Sequence, residues 1–257
     1  MSDPAASRGL RVRAVDFANR VGEKFLRWLD RLYGRSSRVG DFAFFDPAEF
    51  PWIAKVEAHA DAIGRELDDV LGDLEHLPNF QDISTDQYSL TQDDRWKTYF
   101  FAGYGFRVDE HLARCPATAA ALAEIPGMTT AMFSILAPRK EIPPHVGPYK
   151  GVLRYHLALR VPEPLDASGI TVRGETRHWE PGRSLVFDDV WTHEAWNGTD
   201  DLRVVLFVDF IRPMRPVARL VNRIVLRAIA YSPFVQDGKA RHRDWEQRFE
   251  AIRGRGA

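Results

Sequence analysis

Hydrophobic positions along this chain change period twice. Between residues 10 and 33 they recur at helical spacing. Phe17, Val21, Phe25, Trp28, Leu29 and Leu32 fall on one stripe, and Arg13, Arg20, Lys24, Arg27 and Arg31 largely occupy the rest. The pattern predicts a basic amphipathic helix that either packs on its own domain or lies on an anionic membrane surface. Gly34 and Ser36-Ser37 break it. A second helix is predicted over 51–71, with Ile53, Val56, Ala60, Ile63, Leu67 and Val70 as its buried face. Residues 72–95 are polar and turn-rich, the composition of a long binding loop.

From Trp96 onward the period shortens. Runs rich in β-branched and aromatic residues predict strands at 97–104, 129–136, 152–161, 169–173, 184–187, 192–196 and 202–211. Gly, Pro, Asp and Asn separate most of them, and one short helix at 117–125 interrupts the series. This predicts a mainly β fold, a sandwich or jelly roll. After Pro213 and Pro216 helical spacing returns. Val217, Leu220, Val221, Ile224 and Val225 are the apolar positions, and Arg219, Arg223 and Arg227 the polar ones. A charged tail with Trp245 and Phe249 closes the chain. The expected division is a basic helix (1–40), a helix and loop packed on the core (41–95), a β domain (96–213) and a helical extension (214–257).

Composition narrows this picture. At 257 residues and 45% apolar content, the chain can bury one sizeable core. A net charge of -1 supplies no overall field for nucleic acid, which is excluded as a partner. Arginine is concentrated in 8–38 and 212–255, and acidic residues in 57–94. The single cysteine, Cys115, rules out an internal disulfide framework and a thiolate-cluster metal site, and it fits a reducing cytoplasm. No apolar run is long enough to span a bilayer. The amino terminus shows no apolar core followed by a small-residue cleavage site, so no signal peptide is expected. The expected location is the cytoplasm, with the inner face of the cytoplasmic membrane within reach of the basic helices.

Eight histidines are present. His59, His76, His111 and His242 lie among polar or charged neighbours and are expected at the surface; His178, beside a turn, is expected to be structural. His145, His156 and His193 fall in strand-like settings. His145 and His193, each near a strand edge, can converge at the open end of a jelly roll. Two neutral imidazoles there suit a divalent transition metal such as Fe(II); the alternative is a pair of hydrogen-bonded core histidines. Arg154 lies in a mostly apolar strand, and Arg203 opens the run VVLFVDF. A buried arginine needs an anion. Either an internal carboxylate (Asp188, Asp189 or Asp209) or a bound carboxylate ligand can supply it.

These residues belong to spaced blocks: CPAT (115–118), the Ser134 strand, PPHVGPYKGVLRYHLAL (143–159), HWEPGRSLVFDDVWTHEAWN (178–197) and LRVVLFVDFIRP (202–213). In that order, from Trp96 to Pro213, the blocks resemble the aspartyl/asparaginyl β-hydroxylase family of Fe(II)- and 2-oxoglutarate-dependent dioxygenases. TTAMFSIL, GVLRYHLAL and RVVLF look most like the bacterial branch that hydroxylates the acyl chain of lipid A. The resemblance implies a double-stranded β-helix (jelly roll, cupin-like) core with flanking amino- and carboxy-terminal helices. It implies His145 and His193 as metal ligands, and Arg203 as the grip on the far carboxylate of 2-oxoglutarate, assisted by Ser134. His156 and Arg154 would line the cosubstrate and substrate pocket, and Asp189 would orient metal-bound water. It also implies O2 as oxidant, with 2-oxoglutarate converted to succinate and carbon dioxide as a C–H bond is hydroxylated.

The usual carboxylate ligand, two residues after the first histidine, is replaced by Gly147. Water, a halide as in 2-oxoglutarate halogenases, or a distant Asp188, Asp189 or Glu194 could take that position, and water is the favoured reading. Enzymes of the family that act on aspartyl side chains carry a further arginine where this chain has Val152. An apolar residue there favours a lipid acyl chain over an acidic peptide or a small amino-acid-like substrate. The non-enzymatic alternative is a jelly-roll binding module with incidental histidines.

Overall fold

The computed structural model describes residues 28–83, 90–103 and 105–253. The amino-terminal stripe positions Phe17, Val21 and Phe25 lie outside the described residues. Helix α1 (28–36) is followed by strand β1 (Phe44–Phe45), then α2 (Ile53–Glu57), α3 (Ala60–Leu71) and α4 (Phe80–Ile83). Strands β2 (Trp96–Gly103) and β3 (Phe106–Arg107) lead to α5 (Asp109–Arg114) and α6 (Pro116–Ala123). Then come β4 (Met128–Leu136), β5 (Lys140–His145), β6 (Val152–Arg160), β7 (Ser168–Val172) and β8 (Glu175–Arg177). The last elements are β9 (Ser184–Phe187), β10 (His193–Asn197), β11 (Arg203–Ile211), α7 (Pro216–Ala230) and α8 (Pro233–Arg253).

The strands form two antiparallel sheets, one in the order β1-β9-β6-β11-β4-β2-β3 and the other β5-β10-β7-β8. This is the expected double-stranded β-helix with flanking helices. β11 reads RVVLFVDFI because it lies at the centre of the larger sheet and is buried on both faces. Its odd and even positions enter different cores. Val204, Leu206, Val208 and Phe210 join Leu153, Tyr155 and Leu157 of β6 against Val56, Ile63, Leu67 and Val70 of α2 and α3. Val205 and Phe207 face the interior between the sheets, with Met132 and Leu136 of β4, Ala158 of β6, and Ile142, Ile170, Val172 and Ala195 of the smaller sheet.

The structure departs from the sequence expectation, or sharpens it, at several points. The 51–71 helix is broken at Ala58-His59 into α2 and α3. β5, KEIPPH, was not predicted; it is an edge strand, where two prolines cost no ladder bond to a second neighbour. The charged tail, within the expected helical extension, forms α8, whose buried residues Val235, His242 and Phe249 recur every seven positions. His111 and His242, expected at the surface, are buried, because α8 packs over α5 and β2.

Candidate active site

The site is built where the two sheets open. In β5 and β10, His145 and His193 are direct cross-strand partners, with ring centroids 4.0 Å apart. Each Nδ1 lies 2.9 Å from a backbone carbonyl, that of Pro143 for His145 and of Trp191 for His193. A neutral ring that donates from Nδ1 presents its lone pair at Nε2, the arrangement of a metal-binding imidazole. Burial, and secondarily the charge of Arg154, holds His145 below the ordinary histidine range. Burial and the neighbouring His145 take His193 down to about 3. Both rings are therefore neutral at pH 7.

Position 147 has no room for a carboxylate. A Cβ added to Gly147 would overlap Oδ2 and Cγ of Asp189 and come 2.7 Å from Oδ1. Asp189 occupies the space that a side chain at 147 would need, while its backbone carbonyl accepts from the Gly147 N–H at 2.7 Å. Asp189 Oδ2 is held by Arg154 Nη2 at 2.8 Å, and Oδ1 has no hydrogen-bond partner among the described residues. Among those residues no carboxylate joins His145 and His193 in a group whose ligand atoms all lie within 4.8 Å of one another.

Arg154, on β6, also reaches Asp209 of β11, with Nε 2.9 Å from Oδ1, and stacks over Phe207 at 4.3 Å. The register places Arg154 opposite Asp209 and His156 opposite Phe207. Two carboxylates thus share one guanidinium. Burial raises both above the usual aspartate range, and the Arg154 charge opposes the rise.

Arg203 is different. It is buried, and its Nε and Nη1 have no hydrogen-bond partner among the described residues. No carboxylate pairs with it there: Asp189 and Asp209 are taken by Arg154, and Asp188 by Arg212 and Lys150. Its guanidinium lies 4.4 Å from the ring centroid of Trp179. Burial lowers its pKa to about 9, which still leaves it charged at neutral pH. An unpaired buried guanidinium is costly, so the chemistry of the site calls for an anion. His156 is also buried, with neither ring nitrogen partnered among the described residues, and is walled by Trp179, Phe187 and Phe207. Burial, with Arg203, Arg154 and His193 nearby, holds it neutral. Ser134 accepts from the Trp96 indole N–H at 3.1 Å.

The loop that carries His145 is clamped from outside. Tyr149 donates to Asn222 of α7 and lies 3.0 Å from the Tyr33 hydroxyl of α1, and Asn222 donates to the Gly151 carbonyl at 2.8 Å. Arg212 donates to the Lys150 carbonyl at 2.9 Å and pairs with Asp188, at the turn before His193. Val152 packs with Leu29, Tyr33, Tyr149 and Met214 under these helices. Trp179 is given no role by the sequence, and Asp209 only that of a possible partner for a buried arginine, which the pairing with Arg154 bears out. The only sequence signal for them is a tryptophan beside a turn and an acid inside an apolar strand.

A profile of the aspartyl/asparaginyl β-hydroxylase family matches residues 57–213. The chain belongs to this family. An ornithine lipid ester-linked acyl 2-hydroxylase from Rhizobium tropici is 46% identical over 232 residues, 89% of this chain and 83% of that protein. Human aspartyl/asparaginyl β-hydroxylase is 30% identical over 130 residues, which cover 49% of this chain and 17% of that protein. Among solved structures, a prolyl-4-hydroxylase from Pseudomonas putida superposes with a TM-score of 0.40 at 17% identity, over 60% of this chain and 87% of that one. This β-hydroxylase family member is accordingly a hydroxylase, and the family implies a non-haem iron oxygenase.

Proposed function

We propose that this hydroxylase uses Fe(II), 2-oxoglutarate and O2 to hydroxylate the acyl chain of a membrane lipid. The observation that carries the cosubstrate is Arg203, a buried charge without an anion on the interior face of the barrel. A guanidinium in that state fits a dicarboxylate, bound by two charge-assisted hydrogen bonds at its far end. Ser134, two residues along β4 from the partner of Arg203, is placed to assist. His145 and His193 would hold iron through Nε2, and water would complete the coordination, since Asp189 fills the space beside Gly147. Iron with 2-oxoglutarate supplies the oxidising power for the C–H bond.

The chain's own residues do the rest. Arg154 holds Asp189 by Oδ2, which leaves Oδ1 without a partner among the described residues and able to accept a hydrogen bond from a water that iron would bring. His156, Trp179, Phe187 and Phe207 keep the cosubstrate pocket dry. An acyl substrate is supported by the lipid-acyl relative; Val152, which the sequence offered as a second sign, is packed under α1 and α7. Among the described residues no helix is long and apolar enough to cross a membrane. Contact with lipid is assigned to α7. Val217, Leu220 and Ile224 are exposed on it, beside a row of exposed arginines at 215, 219, 223 and 227.

The decisive experiment is mass spectrometry of products. Iron-loaded protein is incubated with 2-oxoglutarate, O2 and chloride, and with either bacterial membrane lipids or Asp/Asn peptides. A gain of one oxygen on an acyl chain, dependent on 2-oxoglutarate, is the expected result. The same gain on a peptide, or a gain of chlorine, overturns the substrate or the water assignment respectively.

A further inference from the structure

Away from the two histidines of the barrel mouth lies a second cluster, formed by His111 of α5 with His242 and Glu246 of α8. Both histidines are buried, and Glu246 is nearly so. His242 and Glu246 are four residues apart, so they share one face of α8 and point together at α5. One potential ligand atom from each of the three lies within 4.8 Å of the others.

The hydrogen-bonding of this cluster is incomplete in a specific way. His111 Nδ1 lies 2.6 Å from the Phe100 carbonyl, which fixes the proton there and turns the Nε2 lone pair toward the cluster. That Nε2 is 3.1 Å from Glu246 Oε1, yet off the line of a hydrogen bond. Among the described residues, His111 Nε2, His242 Nε2 and both carboxylate oxygens of Glu246 have no hydrogen-bond partner. Burial and the neighbouring His111 hold His242 down at about 4, a neutral ring with a lone pair to offer. Lone pairs converging in a buried space repel unless something positive lies among them. A single proton on His111 would serve one carboxylate oxygen and leave the rest unsatisfied. One divalent cation serves all three side chains. Two imidazoles and a carboxylate are a borderline-soft donor set, matching Zn2+ rather than Mg2+ or Ca2+. The carbonyl behind His111 is the support usually found behind a metal-bound histidine.

We propose that His111, His242 and Glu246 form a second metal site, which takes one divalent ion of the zinc class and fastens α8 to the barrel. The site is separate from the oxygenase centre and independent of its substrate. Its neighbours show what it would secure: His111 stacks on Tyr99 of β2, and His242 meets Phe100 edge to face. Among the described residues, the apolar ones that α8 buries on this wall are Val235, Phe249 and the partly buried Trp245.

The test uses Zn2+ itself. His145→Ala with His193→Ala removes the barrel-mouth histidines. That protein is equilibrated with Zn2+, freed of excess and measured for zinc per chain, with folding checked by circular dichroism. One zinc per chain is expected, falling to none when His242→Ala or Glu246→Gln is added. Zinc should also slow hydrogen exchange in α8 of the double variant, and fail to do so after Glu246→Gln. A folded double variant that retains no zinc overturns the proposal, as does zinc that survives both further substitutions. Should His242→Ala not fold, the double variant and Glu246→Gln decide the question alone.

Discussion

Arg203 is a buried charge whose Nε and Nη1 find no hydrogen-bond partner among the described residues, a setting that favours an anionic ligand. Structural arginines nearby are paired: Arg154 with Asp189 and Asp209, and Arg212 with Asp188. Arg203 is not paired among the described residues. Arg203→Met should therefore separate ligand binding from stability. Each charge-assisted hydrogen bond contributes about 1.5–3 kcal/mol, so losing two should raise the KM for 2-oxoglutarate by roughly a hundredfold or more. The melting temperature of the ligand-free protein should hold or rise, because an apolar side chain replaces an unpaired charge. A folded variant with a clearly lowered melting temperature and an unchanged KM would make Arg203 a structural residue. At this scale the sequence singled out the candidate residues, since histidines and arginines inside apolar strands are conspicuous. It could not show how they pair. Asp188, Asp189 and Asp209 were equal candidates for Arg203, and tertiary geometry gives all three to other cations. Gly147 is the same kind of case: its lack of a ligand atom is read from the sequence, but the Asp189 carboxylate in its place is not.

α7 carries two apolar faces, and this distinguishes it from an ordinary packed helix. Ala218, Asn222 and Leu226 are buried against α1 and the His145 loop, whereas Val217, Leu220 and Ile224 are exposed on another face. Exposed apolar residues flanked by arginines match a helix seated at an anionic lipid interface. Leu220→Ser with Ile224→Ser should reduce co-sedimentation with phosphatidylglycerol vesicles by tenfold or more and leave the fold intact. Binding of the unsubstituted protein should weaken as salt rises. Unchanged binding would remove α7 from the lipid contact. Amphipathic spacing was enough to predict this helix but not which apolar stripe would be covered. The strands show a similar limit. β4, β6, β9, β10 and β11 were legible because buried strands are apolar and β-branched. β5 was not, since an edge strand tolerates prolines; α8 lies within the expected helical extension, but its buried face was not legible, since a histidine supplies part of it.

Across the whole molecule, the layer between the larger sheet and its helices buries Cys115, Tyr99 and Tyr155 with the aliphatic core. Burial pushes the Cys115 thiol up to about 12 and both phenols well above their ordinary range. The folded state therefore keeps protons that the unfolded chain gives up. Stability present below pH 9 should be lost as pH rises toward 12, by about 1.4 kcal/mol per pH unit for each group engaged. Denaturant melts between pH 8 and 11 should show the decline, and Cys115→Ala should make it shallower just above pH 9. A decline identical in that variant would exclude the thiol. The sequence alone determined the jelly-roll class, the helical flanks and the family, because alternation, turn residues and ordered motif blocks are local properties of the chain. Only the tertiary structure decided which charges neutralise one another, which apolar stripe stays exposed, and that His111 meets His242 and Glu246 across 131 to 135 positions of sequence. Those outcomes depend on distances between segments remote along the chain, and packing sets such distances where local pattern does not.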